Sequence, residues 1–263
     1  MDLATIFGII VGFALVVASV LLSEGVKGFV PFLNIEAFFI VMGGTFCALL
    51  VNYPIGEVLK LAKLTKQVLT TREQEDTTEI VTTFVELSKK ARAEGFLALE
   101  NNVKNMKNDF LKRGVQMVID GLDKDFITNM METELGLIRE RHTVGQEIFT
   151  ALGTYAPAFG IIGTVLGMIL MLNSISDVEQ VPRRMALALA AAFYGLGSGY
   201  LIFLPMSGKL HRKSEDEILV KEIIIRGVLL LQSGAVPSRM EDNLKAYLAP
   251  AQRALIKSVT KGA

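Results

Sequence analysis

Charge is absent from four long windows of this 263-residue chain. There are 21 uncharged residues between Asp2 and Glu24, 20 between Glu36 and Glu57, 29 between Glu147 and Asp177, and 24 between Arg184 and Lys209. About 20 apolar residues at a helical rise of about 1.5 Å cross a hydrocarbon core of about 30 Å. The windows therefore predict four membrane helices, near 3–23, 34–54, 149–174 and 185–208. The fold class expected is all-α: a polytopic membrane protein with four transmembrane helices and a helical cytoplasmic domain. Hydrophobic residues make up 51% of the chain, and Lys plus Arg (27) balances Asp plus Glu (27). That balance excludes a disordered chain and a nucleic-acid binder driven by net charge. Cys47 is the single cysteine and lies inside the second window, which excludes a disulfide framework. The first window lacks a basic leader and exceeds the 7–15 residues, roughly, of a signal-peptide apolar region, so it is read as a retained helix.

The windows divide the chain into 1–56 (spans one and two), 57–147, 148–208 (spans three and four) and 209–263. The hydrophilic parts 57–147 and 209–263 carry 14 and 10 Lys/Arg, and several lie close to span ends: Lys60, Lys63, Lys66, Arg139, Arg141, Lys209, Arg212 and Lys213. Basic residues near span ends mark the cytoplasmic side. Both hydrophilic parts and both termini are therefore expected in the cytoplasm, although Arg183 and Arg184 in the short loop opposite run against the rule. Glu57–Leu69 reads as a continuation of the second span or as a surface helix. Thr77 or Thr78 is suited to cap a helix running to Arg92, Gly95 interrupts, and a second apolar pattern runs from Phe96 to Met117. A helix from about 125 leads into the third span. The C-terminal part reads as a helix near 212–233, a turn at Gly234–Pro237 and a short helix from about 238.

The four windows contain no Asp, Glu, Lys, Arg or His. Ion pumps and proton relays need an ionisable group at membrane depth. If this chain moves ions, the titrating carboxylate must come from another polypeptide. His142 and His211 form no pair at metal-ligand spacing, and there is no catalytic triad, P-loop or dinucleotide fingerprint. No enzyme, metal site or cofactor is expected.

Spans one and two are rich in Phe, Val, Leu and Ile. Span three carries Gly153, Ala156, Gly160, Gly163 and Gly167, and span four carries Ala188, Ala191, Ala192, Gly195 and Gly199. Small residues let helices approach closely in lipid, so spans three and four are expected to form an inner layer. Pro157 and Pro205 each remove a backbone donor from these spans, giving a packing kink, a hinge or a carbonyl facing an ion path. Thr164 either bonds back to its own helix or lines a polar path.

Several segments resemble the flagellar stator A subunits, MotA and PomA. The third span, Thr154-Tyr-Ala-Pro-Ala-Phe-Gly-Ile-Ile-Gly-Thr-Val-Leu-Gly167, carries the resemblance most specifically. Met1-Asp-Leu-Ala-Thr, Ala91–Glu100, Asp120-Gly121, Glu140-Arg-His142, Phe193-Tyr-Gly195 and Phe203-Leu-Pro-Met206 extend it over essentially the whole chain. The resemblance implies a homo-pentamer around a dimer of B subunits (MotB/PomB-like), each B supplying an ion-binding Asp. It implies inward H+ or Na+ flow turned into torque on a rotor switch protein similar to FliG, in the bacterial inner membrane. No nucleic-acid partner is implied.

By the same resemblance, Arg92 and Glu100 match the rotor-contact charges, and Lys89, Lys90 and Glu94 lie beside them. Pro157 and Pro205 match the family's coupling prolines. Gly160, Gly163, Thr164, Ala191 and Ala192 lie along the implied ion path. Thr164 matches the sodium-driven members, whereas Ala191 and Ala192 match neither pattern, so the ion stays open between H+ and Na+. The alternatives are a non-flagellar ion motor on the same core and an ExbB/TolQ-like energising subunit.

Overall fold

The computed structural model describes residues 3–70 and 76–256. Met1 and Asp2 of the opening motif, and residues 71–75 and 257–263 of the hydrophilic parts, lie outside the described residues. All regular structure among the described residues is helical. In chain order the elements are α1 (Leu3–Glu24), a 3₁₀ segment (Val26–Phe32), α2 (Ile35–Phe38), a π segment (Phe39–Gly43), α3 (Gly44–Asn52), α4 (Ile55–Val58) and α5 (Leu61–Leu69). They continue with α6 (Thr77–Glu94), a 3₁₀ turn (Phe96–Leu99), α7 (Glu100–Lys104), α8 (Asp109–Ile119) and α9 (Lys124–Asn173). The last are α10 (Gln180–Leu196), a second π segment (Gly197–Phe203), α11 (Leu204–Gln232), α12 (Pro237–Lys245) and α13 (Pro250–Leu255).

Three helical runs among the described residues are long and apolar enough to cross a membrane: Gly28–Asn52, Lys124–Asn173 and Gln180–Gln232. A shorter apolar stretch covers Ile10–Ser23.

The chain divides into two compact units. Met1–Arg72 with His142–Arg212 forms the first, and Glu73–Arg141 with Lys213–Ala263 forms the second. Residues 57–70, which the sequence groups with the hydrophilic part, fall in the first unit.

In the first unit, α3 stops at Asn52 because Tyr53 (φ −127, ψ 144) and Pro54 (φ −58, ψ 142) are extended. The residue before a proline is driven out of the helical region by contact with the ring. Glu57–Leu69 is thus not a direct continuation of the second span. It forms α4 and α5, and Leu64 of α5 packs on Gly145 of α9. One apolar cluster gathers Leu49, Val68, Ile148, Phe149, Leu152 and Met206; another gathers Ala37, Val41, Leu187, Ala190 and Ala191.

The second unit has a single core built from α6, α8, the first turns of α9, the last turns of α11, and α12. Phe84, Leu87, Leu99, Val115, Ile127, Ile223, Val228, Leu231 and Met240 are at most 2% exposed. In α8 the buried positions are Phe110, Leu111, Gly114, Val115 and Val118, the spacing of one helical face. Asp76, not Thr77 or Thr78, caps α6: its carboxylate accepts from Thr78 N at 2.8 Å. An aspartate just ahead of the first turn matches both the free N–H groups and the helix dipole. Asn108 caps α8 in the same way. The Phe96–Met117 pattern is broken into a 3₁₀ turn, α7 and α8. The separate helix expected near 212–233 is instead the far part of α11, which begins at Leu204. No helix breaker stands between Pro205 and Gly234 apart from Gly208 and Gly227, so the ladder continues.

Candidate functional site

Two groups of residues are candidates, one in each unit. The first lies where the apolar part of α9 meets α10, the second π segment and the start of α11. The helices run antiparallel and touch through small residues. A Cβ added to Gly195 would sit 2.6 Å from the Ala156 carbonyl oxygen, and one on Gly160 3.1 Å from the Ala191 carbonyl oxygen. Farther along, Gly163 faces Ala191 Cβ and Gly167 faces the backbone of Ala188. Backbone-to-backbone contact of this kind is the main source of helix association in lipid. Gly160, Gly163 and Ala191 are therefore spent on the helix–helix contact, and Ala192 is half-buried beside it.

Pro157 lies inside α9 and leaves the Gly153 carbonyl without its helical N–H. Opposite it stands Gly199. A Cβ there would be 2.7 Å from Pro157 Cγ and 2.9 Å from Gly153 O. Only a hydrogen fits between the π segment and the proline ring, and the Gly199 Cα–H faces the freed carbonyl. Pro205 is the second residue of α11, directly after the π turns, and is exposed. A π segment shifts the hydrogen-bond register by one residue, so the missing proline N–H falls where the ladder is already being reset.

Polar side chains in this group bond locally. Thr164 Oγ1 donates to Ile161 O at 2.6 Å, and the side chain is half-buried. Its hydrogen is used inside the helix, so its lone pairs face outward as acceptors. Ser198 donates to Tyr194 O at 2.6 Å.

The sequence pattern did not bring out three ties. Tyr194 OH donates to Phe32 O and accepts from Asn34 N at 3.2 Å, fastening α10 to the start of α2. Ser207 Oγ lies 2.8 Å from Thr150 Oγ1 and donates to Gln146 O at 3.0 Å, joining α11 to α9. Arg184 lies 3.7 Å from Glu36, so one of the two basic residues that opposed the side assignment has a carboxylate partner. Each partner is between 57 and 162 residues away in sequence except for local bonds, so no local motif signals it.

The second group lies at the end of α6 and the start of α7. Lys89, Arg92, Glu94 and Glu100 are all exposed and, among the described residues, make no side-chain hydrogen bond or ion pair. Lys90 is half-buried, and its Nζ donates to Asn102 Oδ1 at 2.8 Å, tying the two helices. Among the described residues no cluster of three His, Cys, Asp or Glu could hold a metal ion.

Residues 102–223 match the MotA/TolQ/ExbB proton channel family. Motility protein A of Bacillus subtilis is 35% identical over 254 residues, covering 96% of this chain and 93% of that protein. The uncharacterised protein YtxD of the same bacterium is 35% identical over 246 residues, covering 94% and 90%. The flagellar MotAB stator complex from Bacillus subtilis contains a chain that superposes with a TM-score of 0.86 at 33% identity, covering 95% of this chain and 97% of that one. Identity at this level over nearly the whole of both chains, together with the shared helical architecture, means that this chain belongs to the motility protein A family of flagellar stator subunits, within the MotA/TolQ/ExbB proton channels.

Proposed function

We propose that this chain is the A subunit of an ion-driven flagellar stator, coupling inward H+ or Na+ flow to torque on the rotor switch ring. One observation carries the reading: four apolar windows without Asp, Glu, Lys, Arg or His, in a chain similar over nearly its full length to motility protein A. A channel built this way needs a carboxylate from a second polypeptide, which is the role of a MotB/PomB-like B subunit. In this reading α1, with 22 residues, is the fourth membrane span, since that length reaches about 33 Å. Both termini and the second unit lie in the cytoplasm of an inner-membrane protein. Five copies surround a B dimer, and the Arg92–Glu100 corner meets a FliG-like rotor protein. The subunit carries out no enzymatic chemistry, and the transported ion is cargo rather than a resident cofactor. Support for the orientation is the excess of basic residues near Lys60–Lys66 and Lys209–Lys213.

The test is complementation of a stator-less bacterium with this chain, with and without its B partner, alongside ion flux in vesicles. Swimming restored only by the pair, with no flux from this chain alone, supports the reading. Robust flux from the chain alone sinks the two-subunit argument, and absence of motility with both subunits expressed moves the assignment to a non-flagellar motor.

A further inference from the structure

Resting on the rotor-contact reading, the geometry points to Leu97 as the apolar anchor of that contact: a side chain held outside the fold to fill an apolar depression on the rotor protein, between its charged residues. Leu97 is 72% exposed, more than any other large hydrophobic side chain described in the second unit. Its neighbours show why it stands out. Gly95 ends α6 at φ +83, a backbone conformation that L side chains rarely adopt, and turns the chain into the 3₁₀ segment. Phe96 packs on the core and Leu99 is fully buried, so both sides of the turn are pinned. Leu97 lies between two residues that point inward and projects away from them. The bond from Lys90 Nζ to Asn102 Oδ1 closes the corner from behind. The side chain is thus displayed on a rigid turn, and little ordering is lost when a partner covers it.

The surroundings identify the kind of surface it meets. Arg92 and Glu94 precede it and Glu100 follows, all exposed and, among the described residues, without an ion-pair partner. An apolar centre with a rim of charges is the anatomy of a protein contact, in which the rim steers and the buried centre holds. Both signs of charge in the rim call for a partner face that also carries both signs. Exposed ion pairs alone are weak and screened by salt, whereas burying a leucine removes apolar area from water. The corner therefore combines fast, reversible charge steering with a grip that charges alone do not provide.

The test uses the full chain with its B partner in a stator-less strain and reads the torque added by each stator unit in a bead assay at high load. Leu97→Ala is expected to lower the torque step several-fold at unchanged membrane level, and Leu97→Met is expected to retain it. Since Leu97 is largely solvent-exposed, its truncation leaves the core packing in place, which the thermal midpoint of the purified complex checks. A wild-type step in Leu97→Ala, with a reduced step in Arg92→Glu, overturns the anchor and leaves the charge contact standing. Wild-type steps in both variants overturn the rotor-contact reading and the anchor with it.

Discussion

Gly199 of the second π segment and Pro157 of α9 meet so closely that a single methyl group does not fit between them: a Cβ on Gly199 would lie 2.7 Å from Pro157 Cγ. The proline frees a carbonyl on one helix, and the glycine lets the other helix close over it. Gly199→Ala is therefore expected to destabilise the subunit by about 1–3 kcal/mol through overpacking. Gly197→Ala, two residues away in open space, is the control and stays within about 0.5 kcal/mol, as surface substitutions do. Thermal midpoints of the purified complex decide between them; equal midpoints would mean that the helices separate freely at this point.

Pro157 itself bears on motion. Leucine at this position returns an N–H to the Gly153 carbonyl and removes the ring that Gly199 accommodates. Pro157→Leu is expected to assemble with the B subunit but to add no torque. Membrane level and co-purification report assembly, and the bead assay reports torque. Wild-type rotation would reduce Pro157 to a packing kink.

Tyr194 fastens α10 to the 3₁₀–α2 junction through one hydroxyl. Tyr194→Phe keeps the ring contacts with Phe38 and Phe193 but leaves the Phe32 carbonyl and the Asn34 N–H without this partner. The expected loss is about 0.5–1.5 kcal/mol, the net contribution of a hydrogen bond at this half-buried junction. Tyr200→Phe, at an exposed tyrosine, should change little. Limited proteolysis in the Phe32–Ile35 region, followed against time, reads the difference.

Ser207 and Thr150 join α11 to α9 beside Gln146. A double-mutant cycle with Ser207→Ala and Thr150→Val is expected to give a coupling of about 0.6 kcal/mol and at most about 1.7 kcal/mol, the range for hydroxyl bonds between membrane helices. Strict additivity of the two substitutions would remove the bond from the account of how these helices hold together.

Thr164 offers outward lone pairs because its hydrogen is bonded to Ile161 O. On the sodium reading, swimming speed rises with sodium at fixed pH, and Thr164→Val raises the sodium needed for half-maximal speed. Speed that ignores sodium but collapses with an uncoupler assigns protons as the coupling ion and returns Thr164 to its helix.

Much of this architecture was legible along the chain. The charge-free windows located the apolar helices, because a long uncharged run has few alternatives to burial in lipid or in a core. The stripes of Gly and Ala indicated which helices touch, since only small side chains permit close backbones. The third-span motif pointed to the family that the full-length similarity then identified. Local rules misplaced what depends on competition between neighbours: Asp76 outranks two threonines as the α6 cap, and α11 runs on through the boundary expected near 212.

The tertiary structure alone decided the pairings made over long separations. Gly199 against Pro157, Tyr194 on Phe32, Ser207 on Thr150 and Arg184 beside Glu36 each join residues that no periodicity relates. It also decided that Leu97 faces outward while Phe96 and Leu99 face inward. The physical reason is that hydropathy and helical period are properties of one segment, whereas a hydrogen bond or a close contact depends on the position of two. The sequence by itself determined where the apolar helices lie and pointed to the family; only the packed chain determined where several helices begin and end and which atoms meet.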